Sequence, residues 1–367
     1  MLIELVEKKG SDLHLRVGLP PVMRLHGVLT KISEERLTND DMNSILEQIL
    51  APPQKAQFEK TRELDLALSV SKLGRFRINI YRQRGSTSIA LRTVNTEVPT
   101  FEELNLPPVL KQIAETRRGL VIVTGTTGSG KSTTLASLIE HINSSRAENI
   151  LTIEDPIEYV YRDRKSIISQ REVGGDTNSF KNALKAAFRQ DPDVILIGEI
   201  RDSDTMHIAL TAADTGHLVL TTLHTLNAVE TINRIISFFP PHQHQQVRLL
   251  LSGTLESIIS QRLIQRSDTP GRIPAVEILR NTASVKDAIL DPEKTGGIVD
   301  LISSGHIQYG MQTFDQSIMN IYRQGIITYQ QALQNTSNPD DFELRIKGIT
   351  GASDRGWNEF KQVDSGD

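Results

Sequence analysis

Residues 119–132 read GLVIVTGTTGSGKS, an apolar run that breaks into a glycine-rich turn and ends in a lysine and a hydroxyl. Leu120 to Val123 fit a buried strand, and Thr133 to Ile142 fit the helix that follows. Between them Gly125, Thr126, Thr127, Gly128, Ser129, Gly130, Lys131 and Ser132 complete a G-x-x-x-x-G-K-S pattern. Glycines at this spacing let the backbone curl so that successive N–H groups point at one anion. A helix starting near Gly130 adds its positive end to that field. The expected chemistry is ATP binding, with Lys131 on the β- and γ-phosphates, Ser132 on Mg²⁺ and Thr133 completing the segment.

Three more short apolar strands follow: ILTIED at 150–155, DVILIGEI at 193–200 and HLVLTTLH at 217–224. Helix-like sequence lies between several of them, which predicts an α/β fold with a parallel sheet covered on its faces. Ligands of such sheets gather at the carboxyl ends of the strands. Two acidic clusters fall there, Glu154-Asp155-Pro156-Ile157-Glu158 and Gly198-Glu199 with Arg201-Asp202 beyond. A phosphate loop needs carboxylates to hold the magnesium water shell and to orient an attacking water. Glu199 and Glu158 are the candidates, and the pattern alone does not choose between them. His217 and His224 bracket the last strand, about 20 Å apart when extended, too far to share a metal. His224, at the carboxyl end, is a candidate γ-phosphate sensor; two polar strand ends are the plainer reading.

The first 95 residues have a different texture. DLHLRV and VMRLHGVLT alternate as strands, Thr38-Asn39-Asp40-Asp41 offers helix caps, and RFRINIYRQRG with STSIALRTV reads as a hairpin turning near Gly85-Ser86. Residues 72–92 carry Arg77, Arg84 and Arg92 among six basic residues and no acidic one. A solvated hairpin face is the plainer reading; arginine fingers completing an ATP site from a neighbouring subunit are the functional one. Asn95 to Pro108, with three prolines, reads as a connection. The expected division is a first domain at 1–95, a linker at 96–108, an ATPase core at 109–285, a C-terminal helical region at 286–350 and a loose tail at 351–367.

Composition closes off other classes. The 367 residues are 38% hydrophobic and 23% charged, with a formal charge of −4, so no cationic field favours nucleic acid. With no cysteine, disulfides, a Cys-held zinc and a Cys nucleophile are excluded. MLIELVEKKGSD lacks a signal-peptide core, and no apolar run approaches the roughly 20 residues of a membrane span. Membrane association is therefore expected through a partner, without direct insertion.

Taken together, the segments resemble the secretion-type ATPase superfamily, and within it the PilT/PilU pilus retraction motors. GSDLHLRVGLPPVMRLHG at 10–27 is similar to the opening of that family's PAS-like domain, and GTTGSGKSTTLAS to its Walker A segment. LTIEDPIEY at 151–159 resembles its Asp box, ILIGEIRD at 195–202 its Walker B segment, and TGHLVLTTLHT at 215–225 its His box. QREVG, RQDPD and SQRL are further family-like strings. The resemblance implies a PAS-like N-terminal α/β domain, a RecA-like P-loop NTPase domain and C-terminal helices. It implies Glu158 as catalytic glutamate, Glu199 at the Mg²⁺ site, and His217 with His224 coupling nucleotide to the subunit interface. Arg77, Arg84 and Arg92 take positions that face ATP. It further implies a cytoplasmic homohexamer at the inner membrane, acting on the pilus platform protein. Residues 284–291, SVKDAILD, depart from the AIRNLIRE-like helix of PilT-type motors, and the sequence from 310 to 349 is closer to PilU. A PilU-like accessory to a PilT-like companion motor is thus expected, a pilus assembly or type II secretion ATPase being the alternative.

Overall fold

The structure is a computed structural model and describes residues 1–347. Its contacts separate two compact units, Met1–Glu97 with Ile157–Val160, and Val98–Pro156 with the chain from Tyr161 onward.

The first unit runs α1 (Leu2–Glu7), β1 (Asp12–Arg16), β2 (Val22–Leu25), β3 (Val28–Lys31), α2 (Asn39–Ile49), α3 (Pro52–Thr61), β4 (Glu63–Val70), β5 (Gly74–Gln83) and β6 (Ser86–Thr93). Its strands form one antiparallel sheet in the order β3-β2-β1-β6-β5-β4. Strand alternation sorts the side chains. Phe76, Ile78 and Ile80 of β5 share a core with Met42 and Leu46 of α2 and Phe58 of α3, so Arg77 lies on the opposite face. A capping box starts α2: the Asp41 N–H donates to Thr38 Oγ1 at 3.2 Å, and the Thr38 N–H to the Asp41 carboxylate at 2.8 Å. The β5–β6 hairpin turns on Arg84 and Gly85, at φ 49° and 79°, the positive pair that tight hairpins use.

The second unit runs α4 (Val109–Ala114), β7 (Gly119–Thr124), α5 (Lys131–Ser145), β8 (Asn149–Glu154), β9 (Ile167–Glu172), α6 (Phe180–Ala187), β10 (Val194–Ile197), α7 (Ser203–Asp214), β11 (Leu218–Leu223) and α8 (Ala228–Ser237). It continues with α9 (His244–Thr254), β12 (Leu255–Gln265), β13 (Arg272–Arg280), α10 (Ala283–Leu290), α11 (Ile298–Ser304), α12 (His306–Tyr309), α13 (Phe314–Arg323), α14 (Tyr329–Asn335) and α15 (Pro339–Ile346). The sheet order is β13-β12-β7-β11-β10-β8-β9, parallel except for the β12–β13 pair. Leu120 and Ile122 of β7 face a core with α6 to α11, while Val121 and Val123 face α4 and α5. Burial on both faces is why β7, β10 and β11 read as unbroken apolar runs.

From Val98 on, the proline-rich stretch read as a linker belongs to the second unit. Phe101 and Leu106 are buried with α4 and α5, and Ser137 Oγ of α5 donates to the Pro99 carbonyl at 2.7 Å. Helices α10 to α15 run from Ala283 to Ile346, so the helical stretch begins before the expected boundary at 286; the expected tail at 351–367 lies outside the described residues. Among the described residues no helix is long and apolar enough to cross a membrane. Phe101→Ala should cost about 3–5 kcal/mol in urea unfolding followed by circular dichroism, where a linker residue would change stability by no more than about 0.5 kcal/mol.

Candidate nucleotide site

Strand order sets the site. β11 and β10 stand between β7 and β8, so the carboxyl ends of four adjacent strands carry the phosphate loop, His224, Glu199 and Glu154 along one edge.

The loop's glycines are required by space as well as by φ. Gly125, Gly128 and Gly130 have φ of 145°, 79° and 93°. A Cβ on Gly125 would lie 2.4 Å from the Gln261 carbonyl oxygen, and one on Gly130 would lie 2.8 Å from Gln261 Nε2. Gln261 of β12 is the loop's back wall: Thr134 Oγ1 donates to its Oε1 at 2.7 Å, and Thr124 Oγ1 donates to the adjacent Ser260 Oγ at 3.0 Å. Lys131 is buried, and its Nζ donates to the Gly125 and Thr126 carbonyls, both at 2.9 Å. Burial pulls the Lys131 ammonium below its usual pKa, and the Glu199 charge opposes that shift. Thr126, Thr127, Gly128 and Ser132 are exposed, while Thr133 is half-buried at the start of α5.

Glu199 is held by the backbone before it. The Gly198 N–H donates to the Ile153 carbonyl at 2.8 Å, and Thr222 Oγ1 donates to the Gly198 carbonyl at 2.7 Å. The Glu199 carboxylate pairs with Arg201 and lies 3.3 Å from His224 Nε2. Lys131, Glu199, Arg201 and His224 thus cluster beside the loop. Glu154 is buried and accepts from Thr152 Oγ1 at 2.7 Å and Gln170 Nε2 at 3.4 Å, a fixed position within the sheet.

Glu158 is placed differently. After Glu154 the chain leaves β8 and its next segment, Ile157–Val160, packs within the first unit. There Tyr159 bridges to Asn95, the Val160 N–H donates to the Asn95 carbonyl at 2.8 Å, and Arg77 Nη2 donates to the Ile157 carbonyl at 2.6 Å. Arg77 also pairs with the Glu158 carboxylate at 3.2 Å. Arg92 stands directly opposite Arg77 across the β5–β6 pair and is held by Asp12 at 2.8 Å. Arg84 is exposed at the hairpin tip and does not join them.

His217 does not meet His224. It precedes β11 at the amino edge of the sheet, where its Nδ1 lies 2.9 Å from the Ala212 carbonyl and its ring stands edge-on to Phe188 at 5.7 Å. Around it a polar depression is lined by Arg117, Arg146, Glu148, Asp193 and Thr215. Within one chain, His217 and the phosphate loop therefore stand at opposite ends of the parallel strands.

Sequence reading missed Gln261 and Arg201 as parts of the site. Arg201 was noted beside Glu199 at the strand end but given no role, Gln261 stood in a string noted only for its family likeness, and the back-wall role of Gln261 depends on a pairing 136 residues away in sequence, Thr124 to Ser260.

ATP and Mg²⁺ fit these residues. Ser129 Oγ is buried beside Gly125 with no hydrogen-bond partner among the described residues, an orphaned donor facing the loop. Ser132 and Glu199 would hold Mg²⁺, whose coordination needs few protein oxygens when phosphates and waters supply the rest. Gly125→Ala should weaken binding of a fluorescent ADP analogue by at least tenfold, because the new methyl meets a backbone carbonyl that cannot rotate away. Unchanged affinity in a fluorescence titration would remove Gln261 as the back wall.

Residues 3–299 match the profile of the type II/IV secretion system protein family. The chain is 42% identical over 345 residues to the type IV pilus ATPase PilU of Pseudomonas aeruginosa, covering 94% of this chain and 89% of PilU. It is 40% identical over 342 residues to the pilus retraction ATPase PilT of the same organism, covering 93% and 98%. A crystal structure of the pilus retraction motor PilT with bound ADP superposes at a TM-score of 0.85, with 41% identity and coverage of 93% and 97%. The chain belongs to the type II/IV secretion system protein family and is a homologue of the PilU and PilT pilus ATPases.

Proposed function

We propose that this chain hydrolyses ATP as a homohexameric motor of type IV pilus retraction, in the manner of PilU beside a PilT-like companion. The supporting observation is the group formed by Lys131, Glu199 and His224 at the mouth of a complete phosphate loop, in a chain matched nearly end to end by PilU. In this reading Ser132 and Glu199 would hold Mg²⁺, which when bound would supply charge neutralisation at the phosphates. Lys131 holds the terminal phosphates, and the backbone N–H groups of 125–132 cradle them. His224, 3.3 Å from Glu199, senses whether the γ-phosphate is present. Glu158 orients the attacking water, and Arg77, Arg84 and Arg92 face the nucleotide of a neighbouring subunit. Force reaches the pilus through the platform protein of the inner membrane, so the motor works at the cytoplasmic side without inserting. Nucleic acid plays no part.

Glu199→Gln should lower the turnover of the purified protein by at least a hundredfold while leaving ADP affinity within a few-fold, as measured by phosphate release and titration. DNA or RNA should leave wild-type turnover unchanged. In a piliated cell with no other retraction-class ATPase, labelled pili should stay extended although the protein is present and active. Their shortening, lost in Lys131→Ala, would overturn the accessory role. Restored piliation in a strain lacking its extension motor would move the protein to the assembly class.

A further inference from the structure

Glu277 is a buried carboxyl group that the reading above does not use. It lies on β13, is 5% exposed, and stands opposite Ser260 of β12. We infer that Glu277 is a positioning residue of the ATPase: it ties the loop carrying His224 to the strand that feeds the phosphate loop.

Two chains of contacts meet at its carboxyl group. On one side its Oε1 accepts the Ala228 N–H at 2.8 Å. Ala228 is the first residue of α8, four positions after His224, and an orphan N–H of a helix start needs such an acceptor. The 224–228 turn is pinned further on: Thr225 Oγ1 lies 2.7 Å from Thr231 Oγ1, and the Leu226 N–H donates to Glu230 at 3.0 Å. On the other side Glu277 stands directly opposite Ser260 across the β12–β13 pair, and Ser260 Oγ accepts from Thr124 Oγ1 at 3.0 Å. Thr124 immediately precedes Gly125. The path Ala228–Glu277–Ser260–Thr124 thus joins the turn after β11 to the end of β7 through one titratable group.

The charged groups facing it come from the C-terminal half of the chain: Arg262 of β12 and Asp315 of α13. Arg262 is itself fixed, its guanidinium 3.9 Å from the Phe314 ring centroid and its Nη1 donating to the Asn335 carbonyl at 2.9 Å. On the α8 side the carboxyl group meets the Ala228 N–H. Burial pushes Glu277 up to about 7, against the pull of the Ala228 N–H, Arg262 and Ser260. Near neutral pH both protonation states are populated. The ionised group is an acceptor only, as its bond from Ala228 requires, whereas the neutral acid carries a proton of its own and gives up acceptor capacity. Because the folded pKa lies above the ordinary 4.5, the stability linked to Glu277 is complete below that ordinary value and is lost as pH rises through about 7.

The inference rests on the reading of His224 as part of the nucleotide site, and the test separates the two. Full-length wild type, Glu277→Gln, Glu277→Ala and His224→Ala would be assayed for turnover, KM for ATP and melting temperature from pH 5.5 to 8.5. Wild-type kcat should show a step centred near pH 7. Glu277→Gln, which keeps an acceptor for Ala228, should lose that step while KM stays within threefold. Its melting temperature should exceed wild type by more at pH 8.5 than at pH 5.5. Glu277→Ala, which leaves the Ala228 N–H unpaired, should lose at least tenfold in kcat and recover most of it in the Gln variant. A pH step retained unchanged in Glu277→Gln overturns the inference. So does a Gln variant that falls as far as Ala in melting temperature and kcat alike, since that pattern belongs to a purely structural group. Full turnover in His224→Ala removes the role of His224 alone; the pH profile of Glu277→Gln still decides Glu277.

Discussion

The close approach of β12 to the phosphate loop is the constraint on which the second unit depends. Gly125 has room for no side chain because the Gln261 carbonyl occupies that space, and Gly130 is blocked by the same residue's amide. A loop backed by its own sheet in this way cannot collapse inward. β12 holds that position because it pairs with β7 on one side and, over nine residue pairs, with β13 on the other. The antiparallel β12–β13 pair thus acts as a brace on an otherwise parallel sheet.

The brace also explains why polar residues are buried there. Ser257, Ser260, Gln261 and Glu277 are each at most 5% exposed, an expensive composition for a strand pair unless every group finds a partner. Ser257 Oγ donates to the Leu279 carbonyl, Ser260 meets Thr124, and Gln261 meets Thr134. The polar groups are spent on fixing the register between β12, β13 and the phosphate loop, which apolar packing alone would leave free to slide.

What could be read from sequence follows from how local each signal is. β7, β8, β10 and β11 are buried on both faces, so their composition announces them, and the loop motif is contiguous. β12 carries serines and a glutamine toward the loop, which masks its pattern, and β9 is half-exposed on the sheet edge. Neither was anticipated. Phe101 and Leu106 sit in a stretch whose prolines suggested a linker; their burial depends on α5, some 30 residues on. Of the residues singled out in advance, Lys131, Glu199 and His224 come together because adjacent strand ends bring them there. Arg84 and His217 stand apart for the same reason, one at a hairpin tip and one at the amino edge. Glu158 joins the first unit through backbone bonds to Asn95 that no local pattern encodes.

The first unit faces an electrostatic problem of its own. Arg77 and Arg92 lie directly opposite each other across two strands, an arrangement that is destabilising when left alone. Each guanidinium is answered by a carboxylate from a different segment, Arg92 by Asp12 of β1 and Arg77 by Glu158 of the returning chain. Glu158 therefore has a second occupation besides the catalytic one proposed for it. A carboxylate oxygen engaged by a guanidinium has one of its two acceptor sites occupied and is a weaker base for a water held at the other. If Arg77 were drawn to a phosphate group instead, the same movement that supplied positive charge to the nucleotide would release Glu158. The two arginines and two carboxylates thus balance charge within the first unit, and the water-orienting role proposed for Glu158 would compete with that balance.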